Sequence, residues 1–374
     1  TPFKQLAEGR FSKSQIFNWS YADEQEAKDN WASEGANPYE RLPRLAMFTY
    51  QVSPMLTGKL KQDVDFSDED KGSYAFDLNE FFATNEQGKF IHEEEIRKFL
   101  RTLYTGEKYP FSTEELRKEL AHTMWYLNRV PSAKALAKLL HEDPVFKDYE
   151  VVIAAGDGRT EETEESNTKM AKAYDRVKEA IRTHDKTITL TVGQLTVGVT
   201  IPEWSGVLML CNMKSPSSYM QAAFRAQNPC TFTDETGKRY EKETAYVFDF
   251  DPARTLIIYD EFANNLLSDT VNGQGTTEDR KRNIKRLLNF FPVLGEDSEG
   301  RMVALDAAKV LSIPRKLKCE EVVRRGFMSN FLFVNISNVF GAPKAIQDII
   351  NRLEPAQEES STKKTDLPDQ PDMP

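Results

Sequence analysis

The sequence predicts an α/β protein built around a parallel sheet, and three observations carry that prediction. From about residue 119, short apolar runs alternate with longer amphipathic runs, the order that builds βαβ units. The apolar runs are nearly continuous rather than interleaved with polar residues, as strands are when helices cover both faces of their sheet. After residue 251 the pattern turns helical, so a helical extension is expected to follow the sheet.

Taken in order, 45–52 is the first predicted strand, after a polar helix-like stretch at 22–34. Residues 54–118 are acidic and broken by Gly58, Gly72 and Gly88, so they read as a linker or insertion with short helices, one near 93–104. The run 122–127 reads as a buried strand, and 132–141 as an amphipathic helix with Ser132 as its N-cap. Strands follow at 149–155, 187–192, 206–211 and 244–250, with helices at 168–184 and 217–227. Further helices are expected at 252–267, 278–291, 302–312 and 342–353, while 327–336 fits a strand or a buried helix. The tail 355–374 is rich in Pro, Ser and acids with few apolar residues, a composition that does not fold by itself.

With 374 residues, 39% apolar and 29% charged, the chain has room for two or three domains. It contains no apolar run of about eighteen residues that would span a membrane. Cys211, Cys230 and Cys319 stand far apart, and the four histidines are scattered. The expectation is a reduced, cytoplasmic protein with neither a disulfide framework nor a metal site. The net charge of −10 is concentrated: 63–97 carries −8 and 355–374 carries −3, which leaves the remainder near +1. A local basic groove is therefore compatible with the acidic total. The first residue is Thr rather than Met, so the chain is expected to be part of a longer or processed protein.

The stretch 191–229 carries the chemistry. Ligands of open parallel sheets sit at the carboxyl ends of strands. There, Gly193, Gln194, Thr196, Gly198 and Thr200 form a turn whose backbone could approach a phosphate or ribose closely; a tight connection without a ligand is the other reading. Gln221 and Arg225 lie four apart, on one face of the next expected helix. An Arg held on such a helix can reach the γ-phosphate of a nucleotide bound by a neighbouring domain. At 280–286, five cations fall in seven residues, with Ile284, Leu287, Leu288 and Phe291 as an inward stripe. Arg280, Arg282 and Arg286 then either form a solvated face or touch a phosphate backbone.

These stretches resemble the motor of superfamily 2 helicases, in particular the C-terminal RecA-like half of type I and type III restriction enzymes and mobile-element helicases. Thr196-Val197-Gly198-Val199-Thr200-Ile201-Pro202 resembles the T-x-G-x-[DT]-x-P turn of motif V, and Gln221 to Arg225 resembles the Q-x-x-x-R helix of motif VI. Residues 122–140 resemble motif IV with its following helix, 149–158 the next strand and exit loop, and Thr1-Pro2-Phe3 the end of motif III. The resemblance implies a RecA-like domain of P-loop NTPase type at 119–260, preceded at 1–53 by the end of a first RecA-like domain and followed by a helical region at 261–354. It also implies an ATP-dependent DNA helicase or translocase of a restriction-modification or mobile-element system. Arg225 would be the finger and Gln221 its neighbour, with Gly193, Thr196, Gly198 and Thr200 on the nucleotide side. Thr191 and Ser132, with the basic run, would be on the nucleic-acid side. Implied partners are DNA, bound through its phosphates without sequence preference, the upstream RecA-like domain and restriction-modification subunits.

The family pattern is departed from at Phe224, where Gly is usual, at Asn228, where a second Arg is usual, and at Thr200, where an acid is frequent. Arg225 is thus the clearest finger candidate, with Arg254 as the other. No G-x-x-x-x-G-K-[ST] and no DExH box occur in the sequence. ATP and Mg2+ are accordingly expected to be held mainly by the upstream domain, and the isolated chain is expected to hydrolyse no ATP. The alternatives are a catalytically inactive RecA-like binding module and an RNA helicase.

Overall fold

The apolar runs expected as strands become strands β1 (Arg44–Thr49), β2 (His122–Tyr126), β3 (Glu150–Ala154), β4 (Thr187–Thr191) and β5 (Gly206–Met209). They continue with β6 (Thr231–Thr233), β7 (Arg239–Glu241), β8 (Thr244–Asp249), β9 (Val293–Glu296) and β10 (Met302–Ala304). The structure is a computed structural model that describes residues 27–31, 35–50, 52, 77–155, 164–196, 199–213, 215–233, 237–265, 270, 275–296, 302–308 and 310. All of these fall in the unit Thr1–Arg315. The expected elements at 327–336 and 342–353, the tail 355–374 and Gly198 lie outside the described residues.

Eight strands form one sheet in the order β10-β9-β1-β8-β5-β2-β4-β3, and β6 pairs with β7 as a separate ribbon. Every neighbour in the large sheet runs parallel except β10, which is antiparallel to β9. The protein is therefore an α/β fold on a mostly parallel sheet. Its helices are α1 (Leu78–Phe81), α2 (Glu93–Thr105), α3 (Glu114–Glu119) and α4 (Val130–Glu142). They are followed by α5 (Glu164–Thr183), α6 (Pro216–Ala223), α7 (Pro252–Asn265) and α8 (Thr277–Phe290).

Neighbouring strand residues point to opposite faces, and the core divides accordingly. Met124, Val207, Met209 and Val247 pack with Val177 of α5, Met220 of α6, Leu256 of α7 and Ile284 of α8. Trp125, Leu208, Phe248 and Phe250 pack with Phe99 and Leu103 of α2 and with Leu136 and Leu140 of α4. Both faces are covered, which is why the strands read as continuous apolar runs.

Four expectations need correction. Of the two readings of the acidic stretch, linker or insertion with short helices, its described part does not behave as a linker. The helix expected near 93–104 is present as α2, Leu78, Phe81, Phe82, Ile96 and Phe99 are buried against the second sheet face, and Arg97 ties α2 to α4 through Glu142 at 2.6 Å. Its carboxylates face outward because only one side of α2 meets the core. Second, β1 does not stand apart with a preceding domain; it pairs in full with β8 and also with β9. Third, the described residues beyond the expected boundary at 260, between 261 and 310, do not stand apart from the sheet: α8 is a helix as expected, but its Ile284 and Leu287 pack in the first-face core. Helix α7 runs across that boundary, and 302–304, expected as helix, is a strand beside β9. Four apolar residues in a row, 302–305, do not define a period, and the open edge of β9 supplies the pairing. Fourth, α4 starts two residues early with Arg129 as N-cap and Pro131 in its first turn, so Ser132 lies inside the helix.

His122 opens β2 at the amino end of the sheet, buried, with its Nδ1 3.0 Å from Thr187 Oγ1. Burial pushes its imidazole down to about 4. Its folded value lies below the unfolded one of about 6.5, so its neutral form adds stability above that pH and the contribution is lost as pH falls towards 4. Urea unfolding at pH 7 and pH 4.5 should differ by about 2–3 kcal/mol through this group alone. His122→Gln should remove that part of the difference, and an unchanged acid dependence in the variant would refute the assignment.

Candidate functional site

The carboxyl ends of β4, β5 and β8 carry the residues singled out by sequence. Thr191 ends β4 fully buried, and its hydroxyl donates to the Gln194 carbonyl. Gly193 follows with φ +93°, where a Cβ would lie 3.3 Å from the Tyr126 hydroxyl, so both backbone and space call for glycine. Thr196 Oγ1 donates to Gly193 O at 2.7 Å, closing the turn on itself. Leu195, with φ +63°, is held in the left-handed region with its side chain in the core. Thr200 is exposed and Gln194 half-buried.

Helix α6 starts where Ser215 caps it, accepting from Ser218 N at 3.3 Å, with Pro216 preset in the first turn. Tyr219, Met220, Ala222 and Ala223 face the core, and Gln221 is exposed. The helix expected through 227 ends at Ala223 and tightens into a 3-10 turn, Phe224–Gln227. Gln221 and Arg225 therefore do not share one regular α-helical face. The tightening has a cause: Phe224 packs on Phe262 and Phe291, and Asn228 Nδ2 donates to Arg225 O at 3.0 Å. Phe224 and Asn228 thus both have structural work. Arg225 is half-buried and donates through Nη1 to the Val199 carbonyl, so the turn and the α6 segment meet directly.

Sequence reasoning missed two groups. Lys242, just after β7, is buried, and its Nζ donates to Pro202 O at 2.6 Å, Trp204 O at 2.9 Å and Ala226 O at 2.8 Å. Burial pushes it down to about 8, so it remains mostly charged at neutral pH. Nothing in the polar run around it marks it as buried. The second group is Asp249, Asp251, Arg254 and Tyr219. Arg254 Nη2 lies 2.7 Å from Asp249 Oδ1, its Nε 3.5 Å from Asp251 Oδ2, and its Nη1 donates to Cys211 O at 2.6 Å. The Tyr219 hydroxyl donates to Asp249 Oδ2 at 2.7 Å. Burial opposes the Arg254 charge, but Asp249 and Asp251 outweigh it; burial raises the Asp251 carboxyl. Charged residues placed right after an apolar strand were the available signal. Arg254 is committed to this cluster and is not a spare finger.

Expected nucleic-acid residues fare unevenly. Ser132 is buried, with its hydroxyl donating to Phe82 O at 2.6 Å, and Thr191 is buried as described, so neither hydroxyl is presented to a phosphate. Arg280 pairs with Asp260 at 2.9 Å with little exposure, and Arg282 pairs with Asp279. Arg286 is exposed. Among the described residues no group of His, Cys, Asp and Glu could hold a metal ion, and no helix is long and apolar enough to cross a membrane.

No protein-family model matches the chain. Over 319 residues it is 28% identical to a Mycoplasma pneumoniae protein described as "Putative type II restriction enzyme and methyltransferase RM.MpnORF110P C-terminus". The chain resembles a restriction-modification protein. The match takes in 79% of this chain and 42% of the relative, so the chain spans about two fifths of that protein's length. Solved structures similar to it include the ATP-dependent type ISP restriction-modification enzyme LlaBIII bound to DNA, at 12% identity and TM-score 0.36, covering 76% of this chain and 17% of that one. They also include Mss116p DEAD-box helicase domain 2 bound to an RNA duplex, at 14% identity and TM-score 0.27, covering 64% and 67%. A third is S. cerevisiae Dbp5 bound to RNA and ADP BeF3, at 14% identity and TM-score 0.30, covering 72% and 53%. The restriction-modification likeness is of the kind that the motifs at 191–229 implied.

Proposed function

We propose that this chain is the C-terminal half of an ATP-dependent nucleic-acid translocase of the restriction-modification type. The observation that carries the reading is the bond from Arg225 to Val199, which joins the Thr/Gly turn and the Gln/Arg segment into one site at the carboxyl end of the sheet. Exposed Gln221, Gly193 and Thr200 give that end polar groups suited to the ribose and phosphates of ATP held by a neighbouring domain. ATP would supply the energy of a phosphoryl bond. This chain's part would be to place one guanidinium at the developing charge and to pass the change in the turn to bound nucleic acid. Asp249 and Asp251 are engaged by Arg254, so this chain would leave Mg2+ to the phosphates and the other domain.

The nucleic-acid side is better supplied by a groove than by Ser132 or α8. A cavity of about 700 Å³ beside the start of α4 is lined by Lys134 and Lys138 of α4, Arg176 of α5, and the Gln87–Gly88 turn. The two lysines are exposed and lie one helical turn apart. Lys134→Ala/Lys138→Ala should reduce the salt dependence of oligonucleotide affinity by about one slope unit per cation, whereas Arg280→Ala should cost stability instead. An unchanged slope would remove the groove from the binding surface. DNA-stimulated ATP hydrolysis by the full-length protein tests the main reading. Stimulation by RNA alone would favour an RNA helicase. Binding without hydrolysis would favour an inactive module, the reading to which Phe224 and Asn228 lend support.

A further inference from the structure

Two side chains, not one, bridge the turn and the α6 segment. Arg225 does so from the half-exposed side through Val199. Lys242 does so from inside. Its three acceptors come from three places: Pro202 at the exit of the turn, Trp204 at the entry to β5, and Ala226 in the 3-10 turn one residue beyond Arg225. An ammonium has three N–H donors and no acceptor, so three carbonyls use it completely. Three backbone carbonyls pointing at one buried spot would otherwise stand without donors, and bonds to a charged donor are the stronger kind. The ribbon β6–β7 brings this lysine into place, since Lys242 N donates to Cys230 O at 2.8 Å immediately beyond the ribbon. Glu203 lies next to the clasp, paired with Lys178 at 2.5 Å.

We propose that Lys242 is a positioning residue that locks the turn ending at Pro202 to the Phe224–Gln227 turn and thereby fixes the direction of Arg225. Its effect on turnover rests on the translocase reading; the lock itself does not. When the turn moves, the 3-10 segment must move with it, because both hang from one nitrogen. The ribbon between β6 and β7 is then the mount of that nitrogen rather than a decoration between two motor segments.

The test is hydrogen exchange of the full-length protein carrying Lys242→Met, read on peptides covering 199–205 and 222–228, with β2 and β4 as reference. Methionine fills the space and removes the donors. Both peptides should lose protection together, by about tenfold or more, while the reference strands keep theirs. A loss in only one peptide, or in neither, overturns the proposal. If Lys242→Met does not fold, the wild-type protein decides alone through the side-chain ammonium resonance of Lys242, assigned by its disappearance in Lys242→Arg. A slowly exchanging ammonium supports the clasp, and a rapidly exchanging one overturns it. In a folded Lys242→Met protein, turnover should fall with little change in KM for ATP; unchanged turnover despite the paired loss of protection overturns the link to Arg225. If the wild type shows no turnover at all, the translocase reading fails, and the exchange pattern still judges the lock.

Discussion

Arg225→Ala in the full-length protein is expected to lower ATP turnover by about a hundredfold or more while nucleotide affinity changes little. A finger acts on charge that develops in the transition state, so its loss appears in rate rather than in ground-state binding. The same substitution also deprives the Val199 carbonyl of its donor, at a stability cost of about 1 kcal/mol, too little to unfold the protein. Arg225→Lys separates the two effects: it keeps a donor for Val199 but lacks the planar fork, so stability should recover while the rate does not. Gln221→Ala should cost less, since an exposed amide offers only neutral hydrogen bonds. Steady-state rates and nucleotide titrations check this, and a normal rate for Arg225→Ala would end the assignment.

The largest expected effect on stability lies at Arg254. Arg254→Met leaves Asp249 and Asp251 buried without a counter-charge, and breaking a buried pair in this way typically costs about 3–5 kcal/mol. Adding Asp249→Asn should recover part of the loss. The amide needs no counter-charge; its oxygen can keep the bond from Asp251 N while its NH2 donates to the Tyr219 oxygen. Urea unfolding of the single and double variants gives both numbers. A loss below about 1 kcal/mol for Arg254→Met would mean that the cluster behaves like a solvated surface pair.

Much of this was legible beforehand, and the limits have physical reasons. Strands β2, β4, β5 and β8 were visible because burial on both faces makes each an unbroken apolar run. β9 was not, because four residues with a Gly and a terminal Glu carry no period; pairing with β1 on one side and β10 on the other makes them a strand. The Gln/Arg segment was found by spacing, but its tightening after Ala223 depends on where Phe224 packs, which is tertiary information. Ser132 looked like a cap because hydroxyls usually cap helices. Here the helix already starts at Val130 with Pro131 in its first turn, and the Ser132 hydroxyl donates to Phe82 O from a distant part of the chain. Lys242 had no local signal, since its three acceptors are brought together only by the completed fold.

The sheet order has a consequence for how the protein is made. Arg44–Thr49 sits between β8 and β9, so the first of its partners is synthesised about 200 residues after it, Arg44 facing Thr244, and the second later still, Met47 facing Val293. At typical elongation rates of about 5–20 residues per second, that strand waits on the order of ten to forty seconds with both edges unpaired. β8, the strand that joins β1 to the rest of the sheet, is thus delivered only after β2 to β5 have been made. Until then Leu45 and Met47, both buried in the finished fold, lack the strands that cover them, and an unpaired apolar strand of this kind is open to wrong pairing.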